Sequence, residues 1–136
     1  MPAPTLRAEP SPCPCGGGTY ARCCGRYIDT PLAAPDAPAL MRSRYSAFVL
    51  DRRDHLLATW HASTRPAAIE PPAPGLRWLG LEVRRHRDTG PDAAEVEFVA
   101  RSKLAGRAHR LHERSRFIRE AGRWFYVDGN LDPASG

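Results

Sequence analysis

No stretch of the sequence approaches the roughly 18 uncharged apolar residues that would cross a bilayer as a helix, which leaves no membrane partner. The first residues, Met1 to Pro12, also lack the apolar core of a secretion signal, so the expected compartment is the cytoplasm. Lysine is nearly missing: of twenty basic residues only Lys103 is not arginine. These arginines are scattered among acidic residues, without a long basic run or an RNA-binding signature, so a net charge of +5 does not by itself make a nucleic-acid interface. A Ser/His/Asp order, a nucleophile elbow, a phosphate loop and a dinucleotide fingerprint are all absent, which weighs against an enzyme. After residue 24 there is no cysteine at all.

What is present suits one domain with a small appendage. The 136 residues are 42% hydrophobic and 26% charged, a globular balance. All four cysteines, Cys13, Cys15, Cys23 and Cys24, fall in the segment CPCGGGTYARCCG. In a reducing compartment such a cluster reads as a metal site before a pair of disulfides. Four thiolates suit tetrahedral zinc, and iron accepts the same ligands. Such a closed site has no position left for water, so it is structural. Gly16, Gly17 and Gly18 let the chain turn back toward a short helical turn through Tyr20 to Cys24, which Gly25 would end as a left-handed cap. Arg22 and Arg26 stand near enough to offset the charge of the thiolates.

The remainder divides by period. Asp36 is a plausible N-cap, and Leu40, Met41, Tyr45, Phe48 and Val49 form one apolar stripe over residues 37–50. A second helix over 53–61 carries Leu56, Leu57 and Trp60, with Asp51 or Asp54 to cap it. Four prolines make residues 62–75 an irregular connection. Four strands follow, over 77–87, 95–104, 108–119 and 123–128, joined by short turns and therefore antiparallel. In the first, Leu79, Leu81 and Val83 alternate against Trp78, Glu82 and Arg84. Helices first and a meander second make an α+β fold in which the sheet lays one face on the helices. Residues 1–12 and 131–136 are expected as tails, 13–27 as the knuckle and 28–130 as the domain. The knuckle is expected to be separable in stability from that domain.

One pocket follows from strand parity. Leu111, Glu113, Ser115 and Phe117 share a face of the third strand, which would bury Glu113 partly and require a cation or donor for it. Arg42, Arg44 and Tyr45 on the first helix and Arg101 on the adjacent strand are available. Trp60, His61 and His112 are placed within reach of the same space. A structural ion pair fixing helix to sheet is favoured over a catalytic acid, and the opposite strand phase would put Glu113 in solvent. His55, His86 and His109 carry no pattern that singles them out.

These residues also carry a family resemblance. CPCGGGTYARCCG resembles the SEC-C motif, a metal-binding knuckle found at the C-terminus of the bacterial preprotein translocase ATPase. LMRSRYSAFV at 40–49, TWH at 59–61, WLGLEV at 78–83, VEFVAR at 96–101, HERSRF at 112–117 and RWFYVDG at 123–129 resemble the YchJ-like family of uncharacterised bacterial proteins. The resemblance implies a zinc knuckle followed by a cone-shaped nuclear transport factor 2-like domain, a curved antiparallel sheet wrapped over helices. Some relatives carry a second, C-terminal knuckle; here every cysteine is in the first. By analogy with the translocase knuckle, the leading functional expectation is a macromolecular interaction module, with a protein partner linked to secretion or the ribosome. The alternatives are a small-ligand or catalytic cone using Arg42, Arg44 and Glu113, and a nucleic-acid-associated protein held by arginine charge.

Overall fold

The computed structural model describes residues 11–131. The expected tails at 1–10 and 132–136 lie outside them, whereas Ser11 and Pro12, expected in the tail, belong with the knuckle. Pro12 bridges Thr19, and the Tyr20 amide donates to the Ser11 carbonyl at 2.8 Å.

Asp36 caps the main helix, as its sequence position suggests. Its side chain accepts from the Ala39 amide at 2.8 Å, and Pro38 sits in the first turn, where a missing N–H costs nothing. This helix runs Ala37–Leu50 and stops where Asp51 turns left-handed and returns its amide to the Ala47 and Phe48 carbonyls. With the short helix Gly25–Ile28 as α1, it is α2, and Arg53–Ala58 is α3. Neither Asp51 nor Asp54 caps α3. Arg52 holds the N-cap position and pairs with Asp54, while Asp51 pairs with Arg53. Instead of continuing to His61, α3 gives way at Thr59, because the chain then pairs with the last strand. The Tyr126 amide donates to the Thr59 carbonyl and the His61 amide to the Tyr126 carbonyl, each at 2.8 Å.

The strands are β1 Arg77–Gly90, β2 Ala93–Leu104, β3 Arg107–Glu120 and β4 Arg123–Leu131, in one antiparallel sheet of order β1-β2-β3-β4. Ala105–Gly106 and Ala121–Gly122 have positive φ at both positions, the left-handed turn that matches the twist of a two-residue hairpin. β1 departs from simple alternation. A bulge between Trp78 and Gly80, with Gly80 at φ 154°, shifts its phase. Trp78 therefore joins Leu81 and Val83 against the core, and Leu79, expected inward, is 54% exposed.

The core lies between this sheet and the helices. Val96, Phe98 and Ala100 of β2 and Phe117 of β3 meet Leu40, Met41 and Tyr45 of α2 and Leu56 of α3. Cys13, Cys15, Cys24 and Ile28 belong to the same buried cluster. The knuckle is thus packed into the domain. No helix among the described residues is long and apolar enough to cross a membrane.

Candidate functional site

The knuckle is closed by backbone hydrogen bonds that bring two cysteine pairs face to face. Cys13 donates to the Gly18 carbonyl at 2.7 Å and Gly16 to the Cys13 carbonyl at 3.0 Å, so the Cys13–Gly18 loop folds over itself. A single turn of 3-10 helix, Tyr20–Arg22, then delivers Cys23 and Cys24 to the start of α1. Gly25 is not the left-handed cap expected of it. It opens α1, and a Cβ there would lie 2.7 Å from the Tyr20 carbonyl oxygen, so its need is for closeness.

The four sulfurs all lie within 4.8 Å of one another, with Cys15 Sγ 3.4 Å from Cys23 Sγ. A regular tetrahedron with zinc–sulfur bonds of ~2.3 Å has edges of about 3.8 Å, so the set is already close to that shape. Gly17 wraps it tightly: a Cβ there would meet Cys23 Sγ at 2.9 Å and Cys15 Sγ at 3.3 Å. Hydrogen bonds from the neighbouring thiols, first that of Cys24, hold Cys15 down to about 5. The shared bond with Cys15, followed by burial, pushes Cys24 up, and burial first raises Cys23 to about 11. Neighbouring thiols thus stabilise the Cys15 thiolate while Cys23 and Cys24 resist ionisation, which is the arrangement a soft divalent cation would complete by displacing the remaining protons. The donor set fits a metal, and with all four ligands from protein such an ion would be structural.

Around the sulfurs, Ser46 on α2 brings its hydroxyl within 3.5 Å of Cys13 Sγ, a contact that nothing in the cysteine spacing announces. Arg26 donates through Nε to the Cys23 carbonyl at 3.0 Å and stacks over Tyr27, while Arg22 is exposed.

A second feature is a cavity of about 270 Å³ between α2 and the sheet. Of the residues expected there, Arg44, Tyr45, Trp60 and Glu113 line it. Leu111 and Ser115 do too, so the parity chosen for β3 is the observed one. Arg44 is 3% exposed. Its Nη1 donates to the Leu56 carbonyl at 2.8 Å and to Thr59 Oγ1 at 2.7 Å, and its guanidinium carbon stands 4.5 Å from the Tyr126 ring centre and 5.1 Å from that of Trp60. Burial draws Arg44 down to about 10, against the opposing pull of Tyr126 and Glu113, and leaves it charged at neutral pH. Glu113 accepts from Ser115 Oγ at 2.7 Å. Its expected ion pair is not formed: carboxylate and guanidinium each take other partners and face one cavity.

The other expected residues lie elsewhere. Arg101 is exposed and pairs with Glu82 at 3.6 Å. His61 joins Glu120 at 3.0 Å and Ser63 at 2.7 Å, its ring against Phe125. His112 points from the opposite face of β3, 2.6 Å from Glu97. Arg42, two residues from Arg44, is half-buried and does not line the cavity. Conversely, Trp78, Phe98 and Tyr126 do line it, although their strand positions alone did not bring them to notice. His55 is also buried, with Nε2 2.9 Å from Ser43 Oγ.

The chain as a whole is similar to known proteins. The family described as YchJ, middle NTF2-like domain, matches residues 36–129. A UPF0225 protein of Methylibium petroleiphilum is 79% identical over 96% of each chain. Another, from Polaromonas naphthalenivorans, is 61% identical over 88% of this chain and 97% of its own. Among solved structures, a SEC-C motif containing protein from Rhodopseudomonas palustris superposes with a TM-score of 0.80 at 31% identity, covering 90% of this chain and 99% of that one. A SEC-C motif containing protein from Psychrobacter arcticus gives 0.74 at 27% identity, covering 89% and 82%. The family match over residues 36–129, together with relatives that are similar over nearly their full length, places this chain in the YchJ-like (UPF0225) family, with an NTF2-like middle domain.

Proposed function

We propose that the protein is a zinc-holding interaction module, in which the ion fixes the knuckle against α2 and the knuckle's outer rim docks a protein partner. The convergence of four cysteine sulfurs within 4.8 Å carries the metal part of this reading. Zinc is favoured over iron because the site is closed and needs no redox chemistry to do this work. The docking part is supported by the division of the knuckle into two sides. Cys13, Cys15 and Cys24 are buried, whereas Gly16 to Gly18, Ala21, Arg22 and Arg26 are exposed on a short, metal-braced loop.

Metal analysis of protein purified without chelator should give one equivalent of zinc per chain. Well below one equivalent of any transition metal would overturn the reading, and a visible thiolate-to-iron absorption band would replace zinc by iron. For the docking surface, Arg22→Glu with Arg26→Glu should retain the metal and lose the co-purifying protein. Unchanged partners in that variant, or in Cys23→Ser with Cys24→Ser, would remove the knuckle from the interaction.

A further inference from the structure

Arg44 ties α3 to α2 through the Leu56 carbonyl and Thr59 and stacks on Trp60 and Tyr126, but its hydrogen bonds use only one end of the guanidinium. A buried cation is costly, and an apolar side chain of similar volume would pack the same space without that cost. Arg44 spends Nη1 on Leu56 and Thr59, and its Nε and Nη2 have no hydrogen-bond acceptor among the described residues. That edge is the fork with which arginine takes a carboxylate or carbonyl oxygen. Glu113 lines the same cavity, held by Ser115. Room has been kept for it, since a Cβ at Gly129 would overlap its carboxylate. The remaining wall is largely apolar, with Met41, Phe48, Trp78, Phe98 and Leu111, and also carries the phenols of Tyr45 and Tyr126. At about 270 Å³ the space is just below the ~300 Å³ at which ligand pockets begin, so its occupant is small.

The charge balance narrows the chemistry. One cation and one anion face the cavity, so a singly charged occupant would satisfy one and strand the other in a region of low dielectric. A head that is neutral overall and offers both an acceptor and a donor satisfies both.

We propose that the cavity between α2 and the sheet binds a small molecule with an apolar body and such a head, the acceptor on Arg44 and the donor on Glu113. Two sources share this chemistry, a free apolar amino acid and a primary carboxamide. The site is independent of the knuckle's partner.

The full zinc-loaded chain, nitrogen-labelled, is titrated with L-phenylalanine, phenylacetamide, 3-phenylpropanoate and phenethylamine while the indole signals of Trp60 and Trp78 are followed by NMR. At least one of the first two should give saturable shifts, about tenfold tighter than either singly charged probe. Glu113→Gln should weaken an ammonium head about tenfold and spare a carboxamide, whose N–H the glutamine oxygen still accepts; this separates the two sources. Because Arg44 also holds α3, the decisive variant is Leu111→Phe, which fills the cavity from a half-buried position and should abolish binding while the spectrum stays dispersed. No saturable shift from either neutral-headed probe, equal binding of a singly charged one, or unchanged binding in Leu111→Phe would each overturn the proposal.

Discussion

At the scale of single residues, the structure separates two reasons for a small or neutral side chain. Gly25 has an ordinary helical backbone, yet a Cβ there would press on the Tyr20 carbonyl and ring. Backbone cannot swing away as a side chain can, so Gly25→Ala should cost about 1–3 kcal/mol in urea unfolding. Gly90→Ala, whose Cβ would meet only Ala93 at an ordinary 3.7 Å, should stay within ~0.5 kcal/mol. His55 illustrates the second reason. Burial first, and then the positive charge of Arg44, hold it down to about 4 from an ordinary value near 6.5. Between those two values the unfolded chain takes up a proton that the folded chain refuses, so stability is full above pH 6.5 and falls as pH drops toward 4. The loss should reach roughly 3 kcal/mol. Comparing denaturation of wild type and His55→Gln across this range isolates the effect from acid loss of the metal: the variant's curve should lack this slope, and parallel curves would refute the assignment.

At the scale of elements, α2 depends on its first turn. Asp36→Ala removes the acceptor for the Ala39 amide and should lower stability by about 1 kcal/mol, which Asp36→Ser should largely restore in thermal unfolding. That cap was legible in the sequence, as were the hairpins at Gly106 and Gly122 and the parity of β3, because each is decided by residues within a few positions. What escaped the sequence is decided at a distance or by a single backbone step. The bulge before Gly80 reverses one residue's direction without disturbing composition, so Trp78 and Leu79 exchanged sides. The early end of α3 comes from pairing with Tyr126, far along the chain. The candidate site divides in the same way. The four cysteines announce themselves by clustering. In the cavity, Arg44 and Glu113 were legible, but Arg42 lies about 200° round the helix from Arg44, and His112 and Arg101 have the wrong parity on their strands. The contacts of Ser46 with Cys13 and of His55 with Ser43 left no trace in local pattern.

At the scale of the whole molecule, the knuckle and the sheet share one buried cluster through Cys13, Cys15, Cys24 and Ile28. Removing the metal should therefore weaken the domain as a unit. Calorimetry with and without chelator should show one transition displaced downward by roughly 5–10 °C, with amide exchange in β2 and β3 accelerated alongside the knuckle. A strand transition that does not move would make the knuckle an independent appendage. The bridge between Trp60 and Tyr126 matters beyond shaping one end of the sheet. An outer strand is a template on which a second chain can add, and here the segment after α3 already occupies the backbone groups of Tyr126. The opposite border, β1, is broken by three register shifts, so another copy laid along it would meet an irregular ladder. By these two means the sheet is guarded against stacking edge to edge at high concentration.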